Sequence, residues 1–121
     1  MNLSPLAGLD ALLAPLPKDV SDQSRALLAL LGQVQPALVG KVMPGWRSIN
    51  FRHPSAGFVC AIFPHPDRLV LVFEHGRQLS QGEGLLEGDC NRVRYMTMPL
   101  TGPLPETAIA LVLAEAIALF G

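Results

Sequence analysis

The sequence has little charge and no basic stretch. Charged residues make up 16% of the 121 residues, against about 25% in an ordinary soluble domain. The formal net charge is −1, and no run of Lys or Arg is present of the kind that neutralises nucleic-acid phosphates. We therefore expect no nucleic-acid partner. Half of the residues are hydrophobic, which is enough for one core in a single domain covering residues 1–121.

Cysteines and long apolar runs are also scarce. Cys60 and Cys90 lie thirty positions apart and form neither a CxxC nor a zinc spacing, so a disulfide scaffold is excluded and a reducing, cytoplasmic setting is expected. Met1 is not followed by the basic and apolar regions of a signal peptide. The most apolar segment, 108–120, is too short to cross a bilayer and contains Glu115, so we expect no membrane partner.

The sequence lacks the usual motifs of catalysis and metal binding. His53, His65 and His75 form no HxH or HxxxH pair, and we expect them to be exposed turn histidines rather than metal ligands. Cys90 has no neighbouring histidine to act as a base. The stretch GEGLLEG is not GxGxxG, because its third glycine comes one residue late and a strand follows. These observations predict no metal, no cofactor and no enzymatic activity.

Hydrophobic periodicity predicts helices at both ends of the chain. Ser4-Pro5 opens a first helical run that ends before Pro15, and Ser21-Asp22 opens a stronger helix that stops near Gly32. Residues 37–42 are predicted as a further helical turn or two. Residues 106–120 are predicted as a closing helix with an acid in its first turn.

Between these helices the period changes to two, which is typical of strands. Proline- and glycine-rich turns separate four predicted strands, and short connections imply an antiparallel meander. The strands cover residues 46–52, 58–63, 69–73 and 92–98. The predicted fold class is therefore α+β: N-terminal helices, a four- to five-stranded antiparallel sheet and a C-terminal helix, with the helices on one face of the sheet.

The loop from Gly76 to Gly88 is unusual because it contains both leucines and glycines. We expect Leu79, Leu85 and Leu86 to fold back onto the core as anchors of a compact loop. Gly76 is predicted to adopt a left-handed conformation that turns the chain after the third predicted strand. The other glycines are expected to permit the tight turns between the anchors.

These segments resemble the YdhG-like family, a group of small bacterial domains of unknown function. The resemblance rests on VLVF at 70–73, His75-Gly76, GLLEG at 84–88, Val93-Arg94-Tyr95 and PGWRSI at 44–49. It implies a fold similar to frataxin, and one branch of the family is described as a frataxin-like iron chaperone. Iron binding of that type relies on clustered acids in the first helix. The helical segments before Trp46 offer the scattered acids Asp10, Asp19 and Asp22, which supply few converging oxygens for a hard cation.

The residues with the clearest binding potential lie on two predicted strands. If the helices cover one face of the sheet, a polar and aromatic face remains open. Trp and Arg are enriched at binding hot spots, and arginine recognises carboxylates and phosphates through paired hydrogen bonds. The alternative is that the tryptophan fills the edge of the core and the arginines are merely solvated. The predicted ligand-binding residues are Trp46, Ser48, Asn50, Arg92 and Arg94.

The sequence therefore predicts a small cytoplasmic binding or adaptor domain of the YdhG-like family. Its partner would be a small anionic ligand or a protein, and the alternative function is iron handling of the frataxin type. The segment AIALVLAEAIALF at 108–120 is apolar on nearly every side. Such a surface is normally covered, so we also expect a homodimer, unless the N-terminal helix covers it within the same chain.

Overall fold

The computed structural model describes residues 6–79, 86–88 and 93–120. Its helices and strands follow the predicted order, with an additional strand near the N-terminus. They are α1 Leu9–Leu13, α2 Lys18–Val34, β1 Val39–Met43, β2 Ser48–His53, β3 Gly57–His65, β4 Arg68–Phe73, β5 Arg94–Met98 and α3 Glu106–Phe120, with a 3₁₀ turn at Gly76–Gln78 between β4 and β5.

The strands form one five-stranded sheet in the order β1-β2-β3-β4-β5, and each neighbouring pair is antiparallel. Each strand therefore lies beside the one that precedes it in the chain, as expected when the connections are short. The α+β prediction, with an antiparallel sheet bracketed by helices, is confirmed. β4 is an inner strand, since it lies between β3 and β5.

The helices and one face of the sheet enclose the hydrophobic core. Leu27 and Leu31 of α2, together with Val112 and Leu113 of α3, are fully buried in the same cluster as the alternating residues of the strands. We call this side of the sheet the covered face. Its strand residues in the core are Val42, Ile49, Phe51, Val59, Cys60, Ile62, Leu69, Leu71, Phe73, Met96 and Met98. A register shift between β2 and β3 next to Phe51 interrupts the alternation around Val59 and Cys60.

Two predicted helix starts are displaced. α1 begins at Leu9 because Gly8 adopts a left-handed conformation with φ of 84°, which a continuous helix cannot contain. α2 begins at Lys18, ahead of the predicted start at Ser21. In its first turn the Asp19 carboxylate accepts a hydrogen bond from the Val20 amide at 2.8 Å.

The helical turns predicted for residues 37–42 were wrong, because most of that segment is strand β1. Val42 pairs with Ile49, and Met43 pairs with Ser48 across the turn at 44–47. Five residues are too few to distinguish a helical period from a strand period. Hairpin pairing with β2 decides the conformation here.

The loop leucines are anchored as predicted where the structure describes them. Leu79 is buried in the core, and Leu86 packs against it, whereas Leu85 lies outside the described residues. Glu87 pairs with Tyr95, its amide donating to the Tyr95 carbonyl at 2.7 Å and its carbonyl accepting from the Tyr95 amide at 2.9 Å. The segment 86–88 therefore lies along the outer edge of β5.

The prediction that Gly76 adopts a left-handed conformation was wrong, since the φ angle of Gly76 is not positive. Gly76 is required for a different reason. A Cβ added there would lie 2.8 Å from the backbone nitrogen of Arg94. The 3₁₀ turn approaches β5 so closely that a side chain does not fit.

Candidate functional site

The face of the sheet opposite the helices carries the candidate site. Strand register places Lys41, Asn50, Ala61, Val72 and Tyr95 in one row across this face. Their immediate neighbours along each strand point to the covered face, since successive side chains alternate. We call this side the open face. Its strand residues are Val39, Lys41, Met43, Ser48, Asn50, Arg52, Ala61, Phe63, His65, Arg68, Val70, Val72, Tyr95 and Thr97.

The centre of the open face is apolar although the core lies on the other side. Ala61 is 1% exposed and Val70 is 5% exposed, yet neither belongs to the core cluster. By register, Val70 pairs with Phe63 and Val72 pairs with Tyr95. The side chains of Phe63, Val72 and Tyr95 are half-buried. An apolar patch on this side is not needed to hold the helices.

A depression of about 300 Å³ lies over this apolar centre. Ligand pockets usually begin at about this volume and combine apolar walls with a few polar groups. Two aromatic rings and two valines supply the walls, and a histidine and an arginine lie at one end, where β3 turns into β4. The lining residues are Phe63, His65, Arg68, Val70, Val72 and Tyr95.

The charges in the strands have one sign. The five strands contain the cations Lys41, Arg52, Arg68 and Arg94, and none of them contains Asp or Glu. Register places the first three on the open face. The exposed Arg68 makes no ion pair within the part of the chain that the structure describes.

Two of the predicted site residues are brought together on the open face. The Ser48 hydroxyl donates a hydrogen bond to the side-chain oxygen of Asn50 at 2.8 Å. Ser48 is fully buried and Asn50 is half-buried. They lie on β2, where Asn50 pairs with Ala61, so they are placed at the margin of the apolar patch rather than in the depression.

The other predicted site residues lie elsewhere. Trp46 belongs to the turn at 44–47 rather than to a strand, and it is 69% exposed. Arg94 pairs with Phe73, which places it on the covered side, where its guanidinium donates to the Val93 carbonyl at 2.8 Å. Arg92 lies outside the described residues. The structure therefore does not bring Trp46 and Arg94 to one surface with Ser48 and Asn50, and a ligand-binding role for these residues stays a prediction.

The residues that line the depression were missed because the sequence does not say which face the helices cover. Both faces of β4 are apolar, so alternation alone could not separate Leu71 from Val72. A signal was nevertheless present. The predicted strand segments contain arginines and no acids. Phe63 and Tyr95 each lie on one of the two alternating faces of a predicted strand.

Other parts of the chain offer less for ligand binding. A second cavity, between Ala116 of α3 and Val59 of β3, measures about 10 Å³, which is about the space of one water molecule. Cys60 is fully buried, and burial raises the pKa of its thiol far above the usual range, so the thiolate needed for reactivity is not formed at neutral pH. Cys60 therefore behaves as a small buried hydrophobe. Cys90 lies outside the described residues.

Two acids of the first two helices form ion pairs. The Asp10 carboxylate pairs with Arg25 at 2.7 Å, and the Asp22 carboxylate pairs with Lys18 at 2.6 Å. The pKa of Lys18 is raised, mainly by its hydrogen bond to Asp22 and to a smaller extent by the charge of the Asp22 carboxylate.

Within residues 6–79, 86–88 and 93–120, no three His, Cys, Asp or Glu side chains come close enough to hold a metal ion. His53 and His65 are half-buried at strand ends rather than exposed. The His53 Nδ1 accepts from the Ser55 amide at 3.2 Å.

None of the helices in the described ranges is both long enough and apolar enough to cross a membrane.

No protein-family model matches the chain, and no curated protein matches it. Among solved structures, the chain is similar to the crystal structure of a DUF1801-family protein, YdhG, from Bacillus subtilis. The TM-score is 0.59 at 13% sequence identity, and the match covers 86% of this chain and 84% of that chain. The predicted resemblance is thereby confirmed in the fold: the chain has the fold of a YdhG-like, DUF1801-family domain.

Proposed function

We propose that this chain is a small binding domain that takes a ligand with an apolar body on the open face of its sheet. The observation that carries the proposal is the 300 Å³ depression between Phe63, Val72 and Tyr95. Apolar and aromatic residues are set there on the side of the sheet away from the core. Contiguous apolar surface that does not serve the core is typical of interaction sites.

The support for binding, rather than catalysis, comes from the kind of groups that line the depression. Aromatic rings and valines make up most of the lining and provide contact area and shape. Cys60 points to the covered face, where burial raises the pKa of its thiol. The small number of cysteines supports a cytoplasmic setting for this binding domain.

Iron handling of the frataxin type is the weaker alternative. It needs carboxylate oxygens that converge on a cation. Asp10 and Asp22 instead form ion pairs with Arg25 and Lys18, and Asp19 accepts a hydrogen bond from a backbone amide. No contact in the described ranges favours this alternative.

The proposal is tested by amide NMR with naphthalene-2-methanol, a neutral probe with a flat apolar body. We expect chemical-shift changes to concentrate at Phe63, Val70, Val72 and Tyr95 as the probe is titrated. Shift changes that concentrate on α3, or none at millimolar probe, would contradict the proposal.

A matched pair of substitutions sharpens this test. Val72→Gln places a polar group in the depression, whereas Leu119→Gln makes the same kind of change on α3, where Leu119 is 54% exposed. Loss of one apolar contact surface should weaken probe binding about fivefold or more in Val72→Gln. Leu119→Gln should bind as tightly as the parent. Equal weakening in both variants would mean that the probe binds outside the depression.

A further inference from the structure

Resting on the proposed function, we infer that the ligand of the open face is an apolar monoanion, whose flat body lies between Phe63 and Tyr95 and whose carboxylate pairs with Arg68. The first support is the sign of the charge on the sheet. The strands that form this face contribute Lys41, Arg52 and Arg68 and no acid. The strand side chains of this face therefore offer an anion positive charge and no negative charge.

Arg68 has the right position to receive the anionic group. It is the first residue of β4 and pairs with His65, the last residue of β3, so both lie at one end of the depression that they line. It is exposed and makes no ion pair within the described residues. A guanidinium with free donors matches the two oxygens of a carboxylate.

The walls of the depression select the rest of the ligand. Phe63 and Tyr95 are half-buried rings on strands β3 and β5, with Val70 and Val72 of β4 between them. Aromatic rings set across a floor of valines favour a flat apolar body. Polar lining groups are confined to the end where Arg68 and His65 lie, apart from the Tyr95 hydroxyl.

The surrounding charges favour a single negative charge. Asp67 precedes Arg68 in the turn between β3 and β4 and is exposed. Glu87 lies beside β5, where its carboxylate accepts a hydrogen bond from the Thr97 hydroxyl at 3.2 Å. These two acids flank the depression at its margins and would repel a dianion more than a monoanion. A carboxylate therefore fits better than a phosphate.

The test compares naphthalene-2-carboxylate with the neutral naphthalene-2-methanol in calorimetric or NMR titrations. A charge-assisted pair with Arg68 should make the carboxylate bind about tenfold tighter than the alcohol. Arg68→Gln should reduce that ratio to about one, because it weakens binding of the carboxylate more than binding of the alcohol. Arg25→Gln, which removes the same charge from helix α2 on the other side of the sheet, should keep the tenfold ratio.

The outcomes separate the inference from the proposed function. If both probes bind the depression equally, the inference is wrong and the proposed function stands. If neither binds, both are wrong. A tenfold ratio that survives Arg68→Gln would overturn the assignment to Arg68. Tighter binding of 2-naphthyl phosphate than of the carboxylate would overturn the preference for a monoanion.

Discussion

The two faces of the sheet are built from the same strands and differ in what surrounds them. On β4, Leu69, Leu71 and Phe73 are completely buried under the helices. Arg68, Val70 and Val72 alternate with them and form part of a depression. Both sets are mainly apolar. The covered face packs against the helices, whereas the apolar residues of the open face do not belong to the core cluster. Apolar residues on a face that no helix covers are typical of an interaction site.

The largest difference between the faces should appear in stability. Leu71→Ala removes a fully buried side chain and should lower the free energy of unfolding by about 2–5 kcal/mol. Val72→Ala, its half-buried neighbour on the open face, should lower it by about 1 kcal/mol or less. Urea denaturation of both variants measures this contrast. Similar losses in the two variants would show that the open face also serves the core.

A second contrast tests the close approach that joins the 3₁₀ turn to β5. Gly76→Ala forces a Cβ against the Arg94 backbone and should cost about 1–3 kcal/mol, as overpacking does. The control is Gly32→Ala in helix α2, where no atom lies within 4 Å of the added Cβ. That variant should be more stable than the parent by about 0.5–1 kcal/mol, because alanine favours helices. Thermal melts that place both variants on the same side of the parent contradict this account.

Helix α3 offers the smallest effect, and it concerns assembly. Its inward residues Val112 and Leu113 are fully buried, whereas Leu111 is 47% exposed and Leu119 is 54% exposed. The described part of the N-terminal helix does not cover them, since both side chains stay about half exposed with that helix in place. We propose that a second copy of the chain covers this surface, as a two-fold dimer can.

Light scattering at micromolar concentration tests the dimer. We expect about twice the monomer mass of 13.0 kDa. The double variant Leu111→Gln with Leu119→Gln should return to the monomer with its melting temperature changed little, since both side chains are on the surface. A parent protein that scatters as a monomer would show that this surface is simply tolerated.

Much of the fold could be predicted from the hydrophobic periodicity of its helices and strands. The closing helix at Glu106–Phe120 and the strand segments of the meander were identified from alternating and helical patterns. β1 was missed because its hairpin partner, and not its own pattern, makes it a strand. The site was harder. Alternation puts Arg94 and Tyr95 on opposite faces, but only the pairing of Arg94 with the buried Phe73 shows which of the two lies on the covered face, and no local pattern reveals that.

Binding of a ligand by the open face, through the depression beside Arg68, can be seen in a crystal structure of the protein with naphthalene-2-carboxylate. We expect the naphthalene ring between Phe63 and Tyr95, with the carboxylate oxygens within hydrogen-bond distance of the Arg68 guanidinium. A probe found on α3 would overturn binding at the open face. A probe in the depression with its carboxylate pointing away from Arg68 would overturn the assignment to Arg68.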